Sequence, residues 1–237
     1  MSQSDAWSRL GGVLIALLAA AAAGVVLVPR WLGVAAGPEV EIITYLKTTE
    51  RDGVSLALPG VGEPLQSQAH HFARITVTVD PEGERAVAWA TLDLRGRLGS
   101  TEVSSLGVER VPFVRRGRDW VPEGLIAPRL AAVVRALELR RTALEAGSRE
   151  RLAALLAPEA PAGGGEGEAE LARLLELQRR RYRAEAWFLR LERDDAVATE
   201  AWRMEGQLPS RPVDERGQRR LSLIRNGEEF FFSPGLM

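Results

Sequence analysis

The chain has 237 residues, 46% of them hydrophobic and 27% charged, with a net charge of −1. That is ordinary folded-protein composition, with length for one large or two small domains. Near-neutrality disfavours nucleic acid as a partner, because polyanion-binding domains carry a clear basic excess.

The absence of cysteine excludes disulfides, thiolate metal sites and a Cys nucleophile. No HExxH, P-loop, GxGxxG or GxSxG pattern occurs, so neither a metal nor a cofactor is expected. All but one of the 31 basic residues are Arg, the exception being Lys47. Together with abundant Ala, Gly and Leu, this reads as a GC-rich bacterial coding bias.

At the N-terminus, Leu10 to Val28 is an uncharged run, about 28 Å long as a helix and so able to cross a hydrocarbon core. Trp7 and Arg9 precede it and Pro29, Arg30 and Trp31 follow, the flanks expected at bilayer interfaces. The expected layout is a cytoplasmic tail over residues 1–9 and a transmembrane helix over 10–29. The rest of the chain is then an extracytoplasmic body on the inner (cytoplasmic) membrane. Small residues at Ala21-Ala22-Ala23 and Val34-Ala35-Ala36 leave a cleaved signal peptide as the competing reading. Gly12, Ala16, Ala20 and Gly24 share one helical face, a stripe through which two copies could dimerise.

Next in order, Glu39 to Thr49 has a helical pattern, followed by His70-His71. Adjacent residues on an extended segment point to opposite sides, so this pair does not suit one metal. Strands are expected at Ile75 to Asp80, Ala86 to Arg97, Glu109 to Arg115 and Asp119 to Val121, with Pro112 at an edge or bulge. Residues 128 to 146 form an amphipathic pattern with Leu130, Val133, Val134, Leu137 and Leu144 on one face. Ser148 caps a short second helix, Ala157 to Ala169 is a Pro- and Gly-rich loop, and a third helical stripe carries Leu171, Leu174, Leu175, Gln178 and Tyr182. The period then becomes two, giving strands at Ala184 to Glu192, Ala196 to Gln207, Arg219 to Arg225 and Glu229 to Phe232. Asn226-Gly227 is read as the turn of the last hairpin.

These two sets of strands are copies. Between residues 86–122 and the stretch 110 positions later there are 11 identities in 37, including Gly96, Gly107 and Gly117 against Gly206, Gly217 and Gly227. Such self-similarity decides the architecture. The first hairpin has two more residues in its turn than the second.

Helices preceding a curved antiparallel sheet imply an α+β roll. From the order of elements, the run Arg149 to Leu156 after a helix, and the closing hairpin from Arg220-Leu221-Ser222-Leu223 to Phe230-Phe231-Phe232, the second copy resembles the nuclear transport factor 2-like (NTF2-like) superfamily, also described as cystatin-like or SnoaL-like rolls. The resemblance implies two tandem cone-shaped rolls with curved antiparallel sheets, over 30–126, with a reduced helical layer, and over 127–237. It also implies a shared layout with membrane components of bacterial conjugation and secretion machines, and hence a non-enzymatic scaffold that docks onto other envelope proteins.

One residue stands out chemically. Glu200 shares a strand face with Ala198, Trp202 and Met204, where the first copy has Ala90. A buried carboxylate must be paired, or else its raised pKa could make it a general base. The preferred reading is that Glu200 pairs with an Arg across the sheet or lies near an open rim. In the alternative, a small-molecule binder or enzyme uses the cone of the second roll, with Glu200 as the catalytic candidate and Tyr182, Trp187, Glu200 and Trp202 lining the ligand site. An open cone would favour that alternative, whereas a cone filled by Trp187, Trp202 and Met204 would count against it.

Overall fold

In a computed structural model, the structure describes residues 37–52, 55–157, 166–192 and 194–233. The expected membrane span over 10–29 lies outside these residues. Among the described residues, no helix is long and apolar enough to cross a membrane. The chain divides into a unit ending at Val40 and a body from Glu41, and the sheet and site below belong to the body.

The body is α+β and mostly sheet. Helix α1 (Pro38–Asp52) leads into β1 (Ser55–Leu56), β2 (Leu65–Val79), β3 (Arg85–Leu98), β4 (Thr101–Arg116) and β5 (Asp119–Pro122). Then come α2 (Pro128–Ala146), α3 (Arg149–Ala153) and α4 (Glu166–Glu176), followed by β6 (Gln178–Leu191), β7 (Asp195–Leu208), β8 (Arg211–Asn226) and β9 (Glu229–Phe232). All nine strands join one sheet in the order β1-β2-β3-β4-β6-β7-β8-β9, with β5 pairing β4 beside β6.

The offset of 110 reappears as geometry. β3, β4 and β5 map onto β7, β8 and β9 with identical bounds, and Arg85↔Val114 becomes Asp195↔Ile224 while Phe113↔Pro122 becomes Leu223↔Phe232. β2 maps onto β6 at an offset of 112, since Gln66↔Arg97 and Val79↔Ala86 become Gln178↔Gln207 and Leu191↔Ala196. The two extra residues therefore lie in the β2–β3 turn.

Several boundaries differ from the sequence expectations. Gln178 and Tyr182 are not helical: α4 stops at Glu176 and both residues belong to β6, which starts six residues before Ala184. β2, β4 and β8 likewise begin well before Ile75, Glu109 and Arg219. In β2, β6 and β8 the missed half is rich in Arg, Gln or Glu, which masks the alternation of its inner face, and in β4 the inner face carries Thr101 and Ser105 while Leu106 and Val108 point outward. The last turn is shifted by one: positive φ falls on Gly227 (64°) and on Gly117 (66°) in the first copy, each at the first turn position, while Asn226 stays in the strand. Pro112 occupies the stretch of β4 between its pairing with β6, which ends at Gly107, and its pairing with β5, which starts at Phe113. The absent proline N–H thus falls where no ladder bond is due.

The inward faces of both copies feed one main core. Ala86, Ala88, Ala90, Leu92 and Leu94 of β3, Ala196 and Ala198 of β7, and Leu130, Val133, Val134 and Leu137 of α2 are all buried in it. Small side chains on the two central strands leave room for the large apolar ones of α2. A second cluster gathers Leu144, Leu171, Leu174, Tyr182 and Met204 where α2 and α4 meet β6 to β8.

The joint between the copies is parallel, 102–107 of β4 against 186–191 of β6. Gly107 faces Leu191 there, and a Cβ on Gly107 would overlap the Leu191 carbonyl oxygen and stand 2.5 Å from its Cβ and 2.7 Å from its amide nitrogen. Backbone cannot retreat cheaply from such a clash. Gly107→Ala is expected to lower stability by about 1–3 kcal/mol, read as a lower urea midpoint, whereas Gly83→Ala, on an open turn with no atom within 4 Å of the added carbon, should cost about 1 kcal/mol.

Candidate functional site

Two buried charged centres lie under the sheet. The first is built around Glu200, which is 1% exposed. Its Oε2 accepts from Arg140 Nη1 at 3.0 Å and from Tyr182 Oη at 2.9 Å, and its Oε1 accepts from Trp187 Nε1 at 3.2 Å. Arg219, its register partner on β8, brings Nε to 3.1 Å from Oε2, an ion-pair contact whose angle is too poor for a hydrogen bond. Glu170 of α4 closes the ring, accepting from Arg140 Nη2 at 2.6 Å and from both terminal nitrogens of Arg219.

Two carboxylates thus face two guanidiniums, and every oxygen of Glu200 is engaged. Burial alone would lower the Arg140 pKa, but Glu200 and Glu170 outweigh it and hold the guanidinium firmly charged. Burial, reinforced by Glu200 and Glu170 and opposed by Arg140 and Arg219, pushes the Tyr182 hydroxyl well above its usual range, so it acts as a donor. A general base needs a lone pair turned to a substrate and a proton affinity near neutrality; Glu200 presents no such lone pair.

Of the sequence candidates, Tyr182, Trp187 and Glu200 come together through hydrogen bonds. Trp202 shares only the surroundings: its ring stacks on Tyr182 with centroids 6.4 Å apart, and Arg219 lies 4.8 Å above it. Trp187, Tyr182 and Met204 are fully buried and fill the interior. A cleft of about 290 Å³ is lined by Glu63, Pro64, Gln66, Arg97 and Gly99, and a void of about 10 Å³ sits beside His70 and Phe72. Neither touches the Glu200 network. His70 and His71 point apart as expected, His70 to Ser67 Oγ at 3.0 Å and His71 to Glu50 at 3.2 Å.

Arg140, Glu170 and the second centre are missing from the sequence reading. Arg140 carried a signal, standing three residues past Leu137 on the apolar stripe of α2. The second centre is Glu109 of β4, 1% exposed, whose Oε2 and Oε1 accept the backbone N–H groups of Arg129 at 3.0 Å and Leu130 at 2.7 Å. It holds the first turn of α2, where the free amides and the helix dipole favour a carboxylate. Glu109 stands at the position equivalent to Arg219, so each copy buries a charge at this point of the sheet.

No protein-family model matches the chain, and no curated protein matches it in sequence. Solved structures similar to it in fold include the following three. One, from Shewanella frigidimarina, is provisionally described as a ketosteroid isomerase, with 16% identity over 43% of this chain and 90% of the other, and a TM-score of 0.35. Another, from Streptomyces avermitilis, is provisionally described as a dehydratase of the NTF2-like family, with 13% identity over 46% and 97%, and a TM-score of 0.36. The third is an Ntf2-like protein involved in plasmid conjugation, with 9% identity over 71% and 75%, and a TM-score of 0.32.

Removing one partner of a buried ion network leaves the rest uncompensated, at a cost of about 3–5 kcal/mol. Glu200→Ala is therefore expected to lower the urea midpoint sharply, and an unchanged midpoint would contradict the network's structural role. Burial raises the Glu109 carboxyl to about 7, against opposing hydrogen bonds from Arg129 and Leu130 and the charges of Arg129 and Arg225. A carboxyl with a raised folded-state pKa stabilises most when protonated, and that contribution is lost as pH climbs from about 4.5 through 7. Relative to Glu109→Gln, the parent protein should lose up to about 3 kcal/mol between pH 5 and pH 8; an identical pH profile for both would refute the assignment.

Proposed function

We propose that the chain is a membrane-anchored, non-enzymatic interaction module of the bacterial envelope: two tandem NTF2-like rolls held outside the cytoplasm by the apolar segment 10–29. The observation that carries this reading is the closed Glu200 network. Glu200, the catalytic candidate of the alternative reading, is neutralised by Arg140 and Arg219 and covered by Tyr182 and Trp187. The interior it occupies is filled by side chains, which leaves the outer surfaces to carry the function.

Those surfaces offer docking material. On the outward face of the sheet, Leu106 and Val108 of β4 and Phe188 of β6 are exposed across the joint between the copies. An exposed apolar patch on a β-rich body is the usual mark of a contact surface. The docking partners on this reading are other envelope proteins, with a homodimer through the anchor as an addition. Crosslinking in native membranes, followed by identification of the co-purified chains, is expected to recover other envelope proteins. Recovery of the chain with itself alone would overturn the assembly-component reading.

A further inference from the structure

Among the described residues the sheet runs open from β1 and β2 to β8 and β9, and the edges of β2 and β8 are the two halves of a joint the chain already makes once. Within the chain, 102–107 of β4 pair in parallel with 186–191 of β6. Moved by the repeat offsets of 110 and 112, those segments become 212–217 of β8 and 74–79 of β2. Among the described residues neither segment has a strand on its outer side: β9 pairs β8 only from Leu223 onward, and β1 covers β2 only at Leu65 and Gln66.

The contrast with the rest of the β2 edge is informative. At Phe72 the outward amide donates to Glu50 Oε1 at 2.6 Å and the outward carbonyl accepts from Lys47, both from α1. Helix side chains therefore close that part of the edge and leave 74–79 open. An open edge is a template for another strand unless something guards it.

We propose that a second copy of this chain adds its β2 edge, residues 74–79, in parallel to the β8 edge, residues 212–217, repeating between molecules the β4–β6 joint. The copied register sets Val213 opposite Ile75, Asp214 opposite Thr76 and Arg216 opposite Thr78. It also places Arg216 diagonal to Asp80 on the outer face, within the reach of diagonal neighbours, while Asp214 keeps both oxygens on Arg203 of its own chain and Arg74 lies in a bulge of β2. Gly217 is the sequence counterpart of Gly107, but the room its missing Cβ leaves is taken by the Trp202 ring of the neighbouring strand. Pro212 offers no donor, which makes the ladder one bond shorter. The contact is head-to-tail, so it grows into a ring or an open row of copies rather than a two-fold dimer. The inference goes beyond the interaction-module reading, because it concerns copies of this chain whatever else the body binds.

The chain has no cysteine, so engineered thiols report without background. Thr78→Cys and Arg216→Cys, carried on differently tagged full-length chains and oxidised mildly in membranes, are expected to form a disulfide-linked heterodimer. A chain bearing both substitutions is expected to give a ladder of multimers. Leu106→Cys with Arg190→Cys occupies the equivalent positions within one chain and should close internally, since directly paired strand residues lie within disulfide reach. Closure of that internal pair without any Thr78–Arg216 product overturns the proposal, as does failure of the internal pair itself, because the joint being copied would then be absent. Equal linking of Thr78→Cys to itself overturns the head-to-tail geometry. None of these failures touches the recovery of other envelope proteins by co-purification, so the two readings fall separately.

Discussion

The structure depends on how α2 is tied to the joint between the two copies. β4 and β6 pair in parallel, and parallel neighbours cannot be linked by a tight turn; the chain must leave the sheet and return. α2 makes most of that crossing. Its first turn is held by the buried carboxylate of Glu109 on β4, while Arg129 donates to Val108 O at 2.6 Å on one side of the joint and to Glu192 O, just beyond β6, on the other. One helix terminus thus ties together the two halves of the sheet. Its apolar stripe then covers the alanine-lined floor that both copies contribute.

The second charged centre follows from the same arrangement. Once α2 is set, Arg140 on its C-terminal half must lie under β6 and β7, with 4% of its surface exposed. A buried guanidinium is tolerated only when paired and hydrogen-bonded. Glu200 on β7, Glu170 on α4 and Tyr182 on β6 supply those partners. The copies therefore differ chemically for a structural reason: the first buries one carboxylate against helix amides, and the second buries two Arg–Glu pairs beneath a fuller helical layer.

What was legible in the sequence was the repeated part. Gly107 and Gly217, Gly117 and Gly227, and Ala86 and Ala88 with Ala196 and Ala198 recur in both copies because the close backbone at Gly107, the Trp202 ring over Gly217, turn geometry and helix clearance each accept little else. Periodicity lost the strand halves at Gln178 to Arg183 and Arg211 to Gln218, where outward Arg, Glu and Gln dominate the count and the inward Tyr182 or Val213 recurs too sparsely to show. The stripe Leu171, Leu174, Leu175, Gln178, Tyr182 failed for another reason. Leu177 packs on the strand side, and a helical spacing can run by accident across a boundary that only tertiary contacts define. For Glu200, residue types alone posed the right alternatives but could not choose between them. The choice lies with Arg140, 60 residues away in sequence, and Arg219 across a register that only the folded sheet fixes.

The repeat also bears on the ends of the sheet. A duplicated unit that joins its copy edge to edge carries both halves of that contact, so a fused pair still owns one unused half at each end. Nature closes such ends by shortening strands, by charge and proline, or by covering them. This chain covers Phe72 with α1 and places Pro212, Asp214 and Arg216 along β8, which suppresses indiscriminate pairing. Neither device removes the backbone groups that match the internal joint. Selectivity for one register, rather than closure, is what a proline and two charges can provide, and in the copied register Arg216 lies diagonal to Asp80.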